Sequence, residues 1–132
     1  MVTWPGGYWY HVEFGNTDGL IEITGLSEIA ALPNQPGGLA YVPAGSPGFV
    51  EQAIIVSEYH EEDPDAAQVA VYDVNPLGDS IIGTRREFLS RFPRPWAAYF
   101  DRVSGDFLFI SWVAEVGHVF VVQGFLPLPA VD

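Results

Sequence analysis

Apolar positions run along this chain in short bursts, each closed by Gly, Pro, Asn or Asp. The densest burst lies in Gln52-Ala-Ile-Ile-Val-Ser-Glu-Tyr-His60, apolar at every position from Ala53 to Val56. Gln68-Val-Ala-Val-Tyr-Asp-Val74 alternates instead, yet both of its faces are apolar: Val69 and Val71 on one, Ala70, Tyr72 and Val74 on the other. β-Branched and aromatic side chains dominate both runs. That composition suits a pleated surface covered on both sides. The pattern predicts two adjacent antiparallel strands, joined through an acidic loop, at the centre of the fold.

The same reading predicts strands over 8–14 and 20–24 around a Gly15-Asn-Thr-Asp-Gly19 turn. Residues 27–32 read as a helical turn or a continuation of that second strand. Pro33-Asn-Gln-Pro-Gly-Gly38 reads as a break, 39–42 as a short strand and 43–48 as a turn. After the central pair come a turn over 75–79, a strand over 80–84 and an extended or irregular stretch over 86–92. Strands over 96–100, 107–113 and 119–125 follow, and then a Pro-broken tail.

These pieces recur in order. Ala40-Tyr-Val42 and its turn match Ala98-Tyr-Phe100 and its turn. Ile54-Ile-Val-Ser57 matches Leu108-Phe-Ile-Ser111, His11-Val-Glu-Phe14 matches Val71-Tyr-Asp-Val74, and Val119-Phe-Val-Val122 matches Val69-Ala-Val-Tyr72. The offset of about 50–60 residues is the period of propeller-type repeats. In this reading residues 1–132 form a single all-β repeat domain. It holds a partial unit over 8–32, a unit over 38–92 and an incomplete unit over 96–125. The expected fold class is antiparallel four-stranded propeller-type blades, incomplete in one chain.

Ile54-Ile-Val-Ser-Glu-Tyr59, Val69-Ala-Val-Tyr-Asp-Val-Asn75 and Gly78-Asp79 together resemble the repeats of bacterial β-propellers of the YVTN/NHL or lactonase-like type. The likeness spans most of 8–125 and consists of strand pattern plus turns. It implies four-stranded blades around a channel, in a group that includes binding scaffolds, surface proteins and some enzymes. Closed propellers need at least four blades, so about two imply a piece of a longer protein or several copies closing a ring.

Composition narrows the functional classes. Of 132 residues, 17 are acidic and 5 basic, for a formal charge of −12 with no Lys. Such a surface repels nucleic acid and anionic lipid, so neither is an expected partner. The five Arg lie between positions 85 and 102 and are expected to pair with the surplus carboxylates. With no Cys there is no disulfide or thiol chemistry, and the redox compartment stays open. An extracellular or cell-surface place is favoured over others. No apolar run is long enough for a membrane-spanning helix, and no signal peptide is expected from the first residues.

The candidate chemistry is sparse. In Glu58-Tyr-His-Glu-Glu-Asp-Pro-Asp65, His60, Asp63 and Asp65 offer oxygen and imidazole donors for a divalent cation, Ca²⁺ first. The plainer reading is an exposed acidic hairpin loop without a cofactor. Asp73-Val-Asn-Pro-Leu-Gly-Asp79 has the residues of a turn and lacks the downstream Glu of a calcium loop. His11 and His118 read as hydrogen-bonded or exposed, and no nucleophile elbow frames Ser57 or Ser111. Trp4, Trp9, Trp96 and Trp112 are candidates for packing between units or for stacking on a sugar. Trp112 falls opposite Glu58 in the repeat, so Trp112, Glu58 and neighbouring Tyr59 are the ligand-binding candidates.

The expected function is a non-catalytic binding or assembly protein. It would self-associate into a homo-oligomeric ring or filament through blade stacking and strand completion, with 20–24 supplying a missing fourth strand. The alternatives are a carbohydrate-binding, lectin-like module taking a glycan or small ligand, and a lactonase-like metal-dependent hydrolase.

Overall fold

The computed structural model describes residues 2–3, 5–113 and 116–123; Trp4, the Gly124-Phe125 end of the last expected strand and the Pro-broken tail lie outside them. Among the described residues, nine strands form three antiparallel sheets. β1 (Tyr8–Thr17) and β2 (Leu20–Ala31) make a two-stranded hairpin. β3 (Gln35–Val42), β4 (Ala53–Tyr59), β5 (Gln68–Asp73) and β6 (Arg86–Leu89) follow one another across a four-stranded sheet. β7 (Pro95–Phe100), β8 (Phe107–Val113) and β9 (Val116–Val122) form the third sheet in the same manner. The all-β, antiparallel expectation is met.

Two cores hold these sheets together. Ala53, Ile55, Val69 and Val71 line one face of the four-stranded sheet, with Val42 and Phe49 beside them. They meet Phe100, Phe107 and Phe109 of the third sheet. Ring contacts cross the seam, Phe49 to Phe107 at 5.8 Å and Phe88 to Phe107 at 5.1 Å. On the opposite face Ile54, Val56, Ala70 and Tyr72 are capped by Trp9 and Leu32 from the base of the hairpin. β4 and β5 are thus covered on both sides, which is why neither strand needed a polar face.

The seam has a consequence for the repeat. Val42, Ala53 and Ile55 correspond to Phe100, Phe107 and Phe109, and all six lie in one core. Like faces of the two units meet. Successive blades of a propeller are related by rotation about a channel, which brings unlike faces together. Among the described residues the two sheets pack face to face, and no closed propeller is formed. The first strands of the two units cross where the repeat aligns them. A Cβ on Gly37 would stand 2.7 Å from the Pro95 and Trp96 carbonyl oxygens, and one on Gly38 would stand 2.7 Å from Ala97 Cα. Only glycine permits that approach of two backbones.

Other expectations shift locally. The Pro33–Gly38 break is in part strand, since β3 begins at Gln35; as an edge strand it tolerates Pro36. The strand expected at 80–84 is instead a single Val74–Ser80 bridge and a 3₁₀ turn over Ile82–Thr84. Thr84 Oγ1 accepts from the Asp73 N–H at 2.8 Å and donates to the Ile81 carbonyl at 2.7 Å, so local bonds displace the ladder. The fourth strand is β6. Residues 20–24 pair with β1 rather than with the third sheet, so no strand completion by that segment occurs within the chain. Pairing also moves the repeat register by one: Val119 faces Ile110 as Ala70 faces Val56, so Val119 corresponds to Ala70.

Candidate functional site

Two polar constellations and one bare apolar surface stand out. The first centres on Glu58, the penultimate residue of β4, which faces the hairpin side of the sheet and is fully buried. Arg85 reaches it with Nε at 3.1 Å to Oε1 and a terminal nitrogen at 2.5 Å to Oε2. Tyr72 donates to Oε1 at 2.5 Å, while Asn34 and Gln68 each donate to Oε2 at 3.1 Å. Burial, followed by the adjacent carboxylate, holds the Tyr72 phenol far above its usual range; the carboxylate's hydrogen bond also raises the Arg85 guanidinium. Every lone pair of the carboxylate is engaged by the protein. The structure places Glu58, a ligand-binding candidate from the sequence, as a buried internal anchor joining β4, β5 and the stretch before β6. The expected pairing of Arg with surplus carboxylates holds here and at Arg86–Asp73, 2.8 Å.

The second constellation is His11 with Asp79, Nδ1 to Oδ1 at 3.0 Å. Burial pushes the Asp79 carboxyl up, but hydrogen bonds from His11 and Asn75 outweigh it and leave the group below the usual range. Asn75 Oδ1 accepts from the N–H groups of Leu77 and Asp79, each at 2.9 Å, as expected of an Asx-type turn. The pair fastens the hairpin to this turn beside a shallow cleft lined by Tyr10, Phe14, Tyr41 and Leu77. No hydroxyl is hydrogen-bonded to His11 among the described residues, so the pair is an imidazole–carboxylate clasp without an adjoining nucleophile.

The acidic loop folds upon itself. Asp63 N–H donates to His60 Nδ1 at 2.9 Å, and Asp63 Oδ1 caps the following 3₁₀ turn by accepting from Asp65 N–H at 3.1 Å. Residues 61–65 are exposed, as expected. Among the described residues no three His, Asp or Glu side chains come together in a cation-holding group. The side chains of His60 and Asp63 shape the loop through their hydrogen bonds. Tyr59 is half-buried, edge-on to Trp96 at 5.9 Å. Trp9 is buried in the second core.

Trp112 is 51% exposed, and its surroundings are the third feature. Tyr99, Ile110, Trp112, Val119 and Val121 share the outer face of the third sheet with Leu108 and Ala97, and none of these carries a charge. The corresponding face of the four-stranded sheet, with Ile54, Val56 and Glu58, is covered by the hairpin base. β9 borders the bare face and, among the described residues, pairs only with β8. Sequence reasoning singled out Trp112 but missed the face as a whole. The signal was present in the apolar alternation of both sides of β8. No protein family, curated protein or solved structure matches this chain.

Proposed function

We propose that the chain is a non-catalytic binding or assembly protein that self-associates through exposed apolar sheet surface. The observation that carries this reading is the uncharged outer face of the third sheet. It gathers Tyr99, Ile110, Trp112, Val119 and Val121 on a chain that is otherwise strongly acidic. A contiguous apolar patch beside an unpaired strand edge costs solubility unless something covers it. Burial of such a face stabilises association at roughly 25 cal/mol per Å² before the entropic cost of joining two bodies. The edge of β9, which among the described residues pairs only with β8, adds strand completion between chains to the same contact. Sheets that pair like face to like face inside one chain also support oligomers built from such units, as a ring or a filament.

A second reading rests on the same face. Trp112 and Tyr99 present exposed rings that can stack on a sugar, which makes a glycan the leading small ligand. For the non-catalytic reading the support is the use of each polar group: Glu58 anchors strands, His11 clasps a turn, and His60 with Asp63 shapes a loop. Sedimentation velocity over a range of concentrations, run beside a glycan array, separates the two. Concentration-dependent mass supports assembly. A strictly monomeric chain that binds a glycan on the array, and loses it in Trp112→Ala, transfers the function to the second reading.

A further inference from the structure

The hairpin β1–β2 carries a second bare surface. Opposed residues in a ladder share a face, and two bulges on β2 keep β1 alternating without interruption. One face therefore gathers Tyr10, Val12, Phe14, Ile21, Ile23 and Leu26. The other gathers Trp9, His11, Glu13 and Glu22. The polar face looks towards the four-stranded sheet, where Trp9 enters the core and His11 meets Asp79. Tyr10, Val12 and Phe14 of the apolar face border the cleft with Tyr41 and Leu77, and beyond it the face lies in solvent, with Phe14 65% and Ile21 78% exposed. An amphipathic strand pair normally buries its apolar side and wets its polar side. Here Trp9 and His11 engage the sheet at the base, and farther along the hairpin the apolar side is wetted together with Glu13 and Glu22.

The layers fix where the two bare faces lie. The third sheet packs on the four-stranded sheet, and the hairpin base packs on the opposite side of that sheet. The uncharged outer face of the third sheet and the apolar face of the hairpin are thus at opposite ends of the stack. We infer that the apolar face of the hairpin, centred on Phe14, Ile21, Ile23 and Leu26, docks on the outer face of the third sheet of a second copy of this chain. This deepens the proposed self-association and rests on it.

Three observations favour a second copy arranged head to tail. Within the chain, the corresponding outer face of the four-stranded sheet is covered by a hairpin, there through Trp9 and Leu32 of its base rather than through its apolar face. The two surfaces match in chemistry: the sheet face has no charge and the hairpin face only Glu28 at its margin, on a chain with 22 charged residues. They also match in size. Five side chains of the sheet face and Val12, Phe14, Ile21, Ile23 and Leu26 of the hairpin face, at roughly 100 Å² apiece, bury about 1,000 Å² in total, the threshold of a specific interface. Faces at opposite ends make a heterologous contact, which closes into a ring or runs on as a filament.

The test uses two single variants of the full chain, Ile23→Asp on the hairpin and Val119→Asp on the sheet, with masses measured by sedimentation velocity. Far-UV circular dichroism and melting confirm the fold, and Ile23→Thr and Val119→Thr serve as milder versions should either Asp variant unfold. The expected result is a wild type that assembles and two variants that are each monomeric. Their equimolar mixture then forms one-to-one pairs, because each supplies the face the other lacks. Folded variants that assemble like the wild type overturn the interface while leaving self-association standing. Loss in one variant alone, which marks like-to-like pairing, also overturns it. A monomeric wild type overturns both the interface and the reading beneath it.

Discussion

Glu58 is the position where a small perturbation tests the account of the fold most sharply. Glu58→Gln preserves shape but removes the charge that Arg85 neutralises. It also turns an amide donor towards either the guanidinium or the donors of Asn34 and Gln68. Removing one member of a buried, hydrogen-bonded ion pair costs about 3–5 kcal/mol. The Arg85 side chain is 29% exposed and recovers some hydration, which places the loss near the lower bound, about 3 kcal/mol. For a chain of this length that is a fall in melting temperature of roughly 10 °C. Arg85→Met strands the carboxylate with Tyr72, Asn34 and Gln68 and costs a similar amount. The double variant leaves no unpaired charge, so it costs less than the sum of the two, with a coupling of about 2 kcal/mol. Urea unfolding of the four proteins supplies the cycle. Single losses below about 1 kcal/mol, or strict additivity, would refute the reasoning, because they would mean that the carboxylate is hydrated rather than held.

Three other outcomes follow from the same structure. Gly38→Ala places a Cβ against the Ala97 backbone and forces the first strands apart; it should destabilise by about 1–3 kcal/mol in urea titration, whereas Gly45→Ala, with open space around it, should cost only its positive-φ strain. Asp79 is held below its ordinary value, so its contribution is present above about pH 4 and lost as pH falls through the folded-state value; the melting difference between wild type and Asp79→Asn should hold from neutral pH down to about pH 4 and shrink only below it. Millimolar Ca²⁺ should shift the melting temperature no more than Mg²⁺ does, and a selective rise abolished by Asp63→Ala would restore the cation reading of the acidic loop.

Local chemistry was legible in the sequence, and long-range partnership was not. The unbroken run Ala53–Val56 and the two apolar faces of β5 announced a strand pair covered on both sides. Asp18-Gly19 closed the first hairpin, with both residues at positive φ as such a turn requires. Repeat matching placed Ala53–Tyr59 and Phe107–Val113 as equivalent second strands, and each is second in its sheet. The face on which the units would meet could not be read, because both faces of β4 and of β8 are apolar and alternation alone cannot choose between them. Glu58 looked like surface because its partner is 27 residues away, beyond a turn. The Gly37-Gly38 pair looked like a break because its purpose, contact with β7, lies in another unit. The hairpin's apolar face was written plainly in Phe14, Ile21 and Ile23, yet sequence reasoning assigned residues 20–24 to strand completion, where pairing and not burial carries the argument.

The claim of self-association is tested most directly by the mass of the intact chain in solution. Multi-angle light scattering at micromolar concentration should give a multiple of 14.5 kDa, with dichroism confirming the folded state. Because copies of charge −12 repel one another, that mass should rise with added salt as the repulsion is screened and the apolar contact is left to act. A folded chain that remains at 14.5 kDa from low to high salt across that concentration range would contradict the account.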